Sequence, residues 1–138
     1  MNLTPLLDAS LPIRLHVITV VPAFVLGTWL LLASRKGSPQ HRLVGRIYLA
    51  LMTLTSIAAI FVTSGVGPSI TVGPLRFGWI HLFVPLTLHG VYGAFATLRA
   101  GDRRGHRNAM IGVYVGGLLV AGGLTFIPGR LMWRVFFD

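Results

Sequence analysis

Residues 77–98 read FGWIHLFVPLTLHGVYGAFATL, a run without a single fixed charge. At about 1.5 Å per residue it is long enough, as a helix, to cross the ~30 Å hydrocarbon core of a bilayer. Lipid offers no hydrogen bonds to the backbone, so a helix is the form such a segment takes. Three more apolar runs of similar length, 13–33, 43–63 and 109–127, complete a set of four. Their fixed charges are Arg14 and Arg46, close enough to helix ends for the long side chains to reach the interface. The expected fold is all-α: one domain over 1–138, a four-helix transmembrane bundle.

Composition agrees. The 138 residues are 54% hydrophobic and 11% charged, too apolar to coat a soluble domain, which carries about 25% charged residues. The net charge of +9 does not point to nucleic acid, because the basic residues flank the apolar runs as membrane borders do. Glutamate is absent and the aspartates are Asp8, Asp102 and Asp138. Without cysteine there is no disulfide, thiolate ligand or iron–sulfur cluster. Residues 1–11 lack the basic start and apolar core of a cleaved signal peptide.

Orientation follows from where the basic residues fall. Arg35, Lys36, Arg42 and Arg46 border the first turn, and Arg99, Arg103, Arg104 and Arg107 border the third. The opposite side carries Arg14, Arg76, Arg130 and Arg134. The positive-inside rule therefore places both basic turns in the cytoplasm and both termini outside. The Gly- and Pro-rich connection 64–76 reads as a surface loop or plain connector on the outer side. The tail 130–138, with Trp133 among apolar residues and two arginines, reads as a short interfacial segment.

Four of the five histidines form a lattice. His16 and His41 are 25 residues apart, His81 and His106 are 25 apart, and the pairs are offset by 65. His41 and His106 are each followed by arginine, then by Tyr48 or Tyr114 seven or eight residues on. The pattern reads as a duplicated helical hairpin with an axis along the membrane normal. His16 and His81 then lie near the outer face, His41 and His106 at the inner face, each pair on diagonal helices. Matched histidines on facing helices are what axial ligation of a b-type haem requires, with no cysteine attachment. Arg42, Arg107 and Arg14 suit the propionates, since guanidinium pairs with carboxylate in bidentate fashion. Pro85 and Pro22 are expected to kink their helices and free the carbonyls of His81 and Ile18.

Each feature has a plainer reading. Gly112 and Gly116, in small-xxx-small spacing, suit helix packing as well as a ring. His41 and His106 suit interfacial anchors beside anionic lipid. His89, near the bilayer centre with Tyr92 three residues on, is a candidate proton or quinone group. Alternatively it bonds Thr53, Thr55 or Ser56 on a neighbouring helix. Hydrolytic chemistry is disfavoured, because no carboxylate pair or nucleophile elbow is present.

The stretches His41-Arg42-Leu43-Val44-Gly45-Arg46-Ile47-Tyr48, His106-Arg107-Asn108-Ala109-Met110-Ile111 and Thr125-Phe126-Ile127-Pro128-Gly129-Arg130 resemble a bacterial family of four-helix integral membrane proteins of unassigned function. The resemblance runs from His16 onward and implies the fold, with no activity attached. A looser similarity is to di-haem membrane cytochromes of the cytochrome b561 and ferric reductase kind. It implies haem ligation by His16 with His81 and by His41 with His106, although the inner histidines here sit beside turns. The leading expectation is a membrane redox protein binding haem b and exchanging electrons with quinone or a redox partner. One alternative is a non-catalytic small membrane subunit or lipid-interacting protein with structural histidines. Another is a proton- or ion-handling, transporter-like protein using His89.

Overall fold

The computed structural model of the chain describes residues 3–63 and 67–137. A short helix α1 (Thr4–Leu7) precedes two long ones, α2 (Leu11–Leu32) and α3 (Pro39–Ile60). A hairpin follows, β1 (Ser69–Val72) against β2 (Leu75–Gly78), antiparallel with Ser69 opposite Gly78 and Val72 opposite Leu75. A 3₁₀ turn (Trp79–Leu82) leads into α4 (Phe83–Arg99). The last crossing begins as α5 (Arg103–Gly112), becomes π-helical over Val113–Val120, and ends as α6 (Ala121–Gly123) and a 3₁₀ turn (Leu124–Phe126). A terminal helix α7 (Leu131–Phe137) packs on α1.

Among the described residues four helical stretches are long and apolar enough to cross a membrane: Leu11–Leu32, Pro39–Ile60, Trp79–Arg99 and Arg103–Phe126. Neighbours in sequence are neighbours in space, α2 on α3, α3 on α4, and α4 on α5, while α2 returns against the π-helical segment to close the ring. The chain is an all-α membrane bundle, as its apolar runs predict. Its outward faces carry Ile18, Val21 and Val25 on α2 and Leu82 ahead of α4, all exposed. Water would not tolerate so continuous an apolar coat, whereas lipid solvates it without cost.

Helix starts are set by capping. Ser38 accepts a hydrogen bond from the His41 amide at 3.1 Å, with Pro39 at the first helical position. Asp102 does the same for Gly105 at 2.9 Å. Both side chains satisfy amides that the helix itself cannot. The helices therefore begin at Pro39 and Arg103, ahead of the apolar runs that start at 43 and 109. His41 and His106 thus lie in the first turns of helices, not in the connections.

The connection 64–76 is only in part a loop. Its second half joins β1 to β2 through Gly73, whose φ of +59° fits the first central position of a tight hairpin turn. Residues 64–66 lie outside the described residues. Pro85 departs from expectation as well. It is the third residue of α4, where its missing N–H has no intrahelical role, so it starts the helix instead of kinking it. Pro22 does lie inside α2.

The core is narrow. Tyr48, Met52 and Val113 are the largest fully buried side chains, joined by Leu30, Leu49, Val91, Ala94, Tyr114 and Leu118. Three glycines make it possible, among them Gly90, where a methyl group would stand 2.6 Å from Val113. A methyl group on Gly27 would stand 2.8 Å from both Tyr48 and Tyr114, and one on Gly117 would stand 2.9 Å from Met52 and Thr87. Gly112, by contrast, has open space around it, so the glycine contacts that matter lie elsewhere than the small-xxx-small pair.

Candidate functional site

The lattice histidines spend their ring nitrogens on neighbouring elements. His16, on α2, donates from Nδ1 to the Thr55 carbonyl of α3 at 3.0 Å. Beside it the Thr55 hydroxyl donates to Thr19 Oγ1 at 2.8 Å, and Thr19 donates back to the carbonyls of Leu15 and His16. At the other end of the same helix pair, Ser34 gives its proton to the Leu30 carbonyl at 2.8 Å, so His41 Nδ1 donates to the Ser34 oxygen, also at 2.8 Å. Lys36 Nζ adds a bond to the Leu30 carbonyl. His106, on α5, donates from Nδ1 to the Ala94 carbonyl of α4 at 2.8 Å.

His81 is held on both nitrogens. Nε2 lies 2.9 Å from the Val62 carbonyl, which can only accept, so Nε2 carries the proton. Nδ1 then accepts from the Gly78 amide at 3.0 Å, and Phe77 packs edge-on against the ring at 5.2 Å. One imidazole thereby joins the end of β2, the 3₁₀ turn and the chain just past α3.

The fourth side of the ring closes without histidine. Thr28 donates to the Phe24 carbonyl at 2.7 Å, so the Tyr114 hydroxyl donates to Thr28 Oγ1 at 2.7 Å and ties the π-helical segment to α2. Each adjacent helix pair thus carries at least one side-chain tie. Sequence reading noticed Tyr48 and Tyr114 only as repeat markers. Their recurrence after each His-Arg pair was the available signal that they fill the core between the diagonal helices.

In the outer pair the two rings are bound to different groups. His81 has no free nitrogen, and both His16 and His81 turn toward backbone carbonyls at α3 and its end, not toward each other. The inner pair differs. With Nδ1 protonated, the Nε2 atoms of His41 and His106 are lone-pair nitrogens. The void membrane-ward of them, lined by Gly27, Leu30, Leu31, Tyr48, Met110 and Tyr114, is only about 10 Å³, against roughly 300–1,000 Å³ for ligand pockets in general. Among the described residues no group of three or more His, Cys, Asp or Glu is gathered as a metal site would need. Arg42 and Arg107 are exposed beside the inner pair.

His89 and Tyr92 are not in the core. Both lie on the exposed face of α4, Tyr92 with 71% of its surface free. Of the hydroxyls expected beside it, Thr53 donates to the Leu49 carbonyl and Thr55 to Thr19. The larger cavity, about 320 Å³, is an apolar groove between α2 and α3, lined by residues such as Leu15, Thr19, Leu54 and Phe61. No histidine lines it.

Four apolar helices ringed by side-chain ties, with a lipid-compatible exterior, define a small multi-pass integral membrane protein. The chain belongs to the family described as predicted membrane protein (DUF2306), whose model matches residues 13–137. No curated protein and no solved structure matches it significantly.

Proposed function

We propose that the chain is a non-catalytic small membrane subunit whose lattice histidines hold its helices together. One observation carries this reading: His16, His41, His81 and His106 each give at least one ring nitrogen to a neighbouring element, and His81 gives both. In lipid, where apolar side chains gain nothing by meeting one another, such polar ties and close small-residue packing are what holds helices together. The same reading suits the bacterial inner membrane, with both basic turns cytoplasmic.

A second reading keeps a haem b at the inner pair, because His41 and His106 present lone-pair nitrogens oriented by Nδ1 hydrogen bonds, the arrangement metal-ligating histidines use. It requires the small void membrane-ward of them to open. If bound there, the group would supply one-electron chemistry, and Arg42 and Arg107 would hold its propionates. The absorption spectrum of protein purified from membranes distinguishes the two. The structural reading predicts no Soret band and no stoichiometric iron. A Soret band with a dithionite-sensitive α band, lost in His41→Ala and His106→Ala alike, would replace it with the second.

A further inference from the structure

His89 is ten residues from either end of the span Trp79–Arg99, so it sits about 15 Å from each, near mid-membrane. It is exposed and makes no hydrogen bond with another described residue. An ionisable group at that depth ordinarily faces the bundle interior or a water-filled path, because hydrocarbon satisfies neither its donor nor its acceptor. Tyr92 lies three residues on, on the same face, with a second polar atom in the same surroundings. Pro85, His89 and Tyr92 are exposed and run along one side of α4, with Ala96 in line with them and the buried Thr87, Val91 and Ala94 opposite, while α3 and α5 occupy its other sides.

We propose that this face of α4 is the contact between two copies of the chain, paired through His89 and Tyr92. Two copies inserted the same way are related by an axis along the membrane normal, so the same patch meets itself at matched depth. The chemistry is self-complementary. A neutral imidazole has one lone-pair nitrogen, and a phenol has one proton to give. The Tyr92 hydroxyl of each copy donates to the His89 lone pair of the other, making two equivalent bonds. The three-residue offset is about 4.5 Å along the axis. A helical aromatic side chain leans toward its own N-terminus, which brings the Tyr92 ring back to the level of His89. A partner of different sequence would need its own matching donor and acceptor at that depth, whereas a second copy brings both.

Because the chain has no cysteine, single-cysteine variants read this contact in native membranes. Under mild oxidation Pro85→Cys and Ala96→Cys should form a species of twice the monomer mass, and Val25→Cys, on the exposed face of α2, should not. Adding His89→Leu or, separately, Tyr92→Phe to Ala96→Cys should lower the cross-linked fraction about fivefold or more. Cross-linking no greater than that of Val25→Cys would overturn the proposal. So would an adduct of any other mass, which would mean a different partner, or a yield indifferent to both His89→Leu and Tyr92→Phe.

Discussion

Tyr48 shows what a single residue is asked to do in this bundle. Its ring fills the space that Gly27 leaves on α2, yet its hydroxyl is buried without a hydrogen-bond partner among the described residues. A buried, unpaired hydroxyl costs on the order of 1–3 kcal/mol. Tyr48→Phe keeps the ring and removes that cost, so the detergent-solubilised protein should unfold at the same or a higher temperature. A lower midpoint would show that the hydroxyl has a partner after all. Tyr114, in the other hairpin, has its hydroxyl satisfied by Thr28. The two tyrosines look alike in sequence and differ in energetics, and no spacing rule separates them.

At the scale of elements, the apolar runs and the helices are different objects. Hydropathy marks where lipid begins, whereas capping marks where the helix begins, and the two differ by four to six residues at Pro39 and Arg103. The capping signals were present in Ser38-Pro39 and in Asp102. They were outweighed by the arginines that follow, which look like turn residues until they are placed on a helix end projecting past the hydrocarbon. Removing either cap should matter modestly: Ser38→Ala and Asp102→Ala should each cost about 1 kcal/mol in unfolding measurements. The hairpin was hidden because its strands are four residues each, shorter than any periodicity argument can use. The π-helical stretch Val113–Val120 was hidden for another reason. It uses the same residues an α-helix would and differs only in which carbonyl each amide finds.

For the whole molecule, the four crossings were legible from composition and run length, and the family resemblance from the stretches His41–Tyr48, His106–Ile111 and Thr125–Arg130. The direction in which each histidine points was not, because rotation about a helix axis is decided by tertiary packing. The lattice placed two histidines near each end, and their hydrogen bonds single out one of the four. His81 has both ring nitrogens bonded, whereas His16, His41 and His106 each bond through Nδ1 alone. The basic residues predict that both basic turns face the cytoplasm. A cysteine at Gly101 should accordingly react with a membrane-impermeant maleimide only in inverted vesicles, and one at Gly73 only in right-side-out cells. The reverse pattern would turn the molecule over.

The central claim, that the lattice histidines serve the fold, is tested most directly by thermal unfolding of the purified protein with His16, His41, His81 and His106 replaced singly by alanine. All four midpoints should fall, and His81→Ala should fall furthest, by the equivalent of about 1–3 kcal/mol, because it strands the Gly78 amide and the Val62 carbonyl together. Midpoints unchanged from the parent protein, His81→Ala included, would contradict the account.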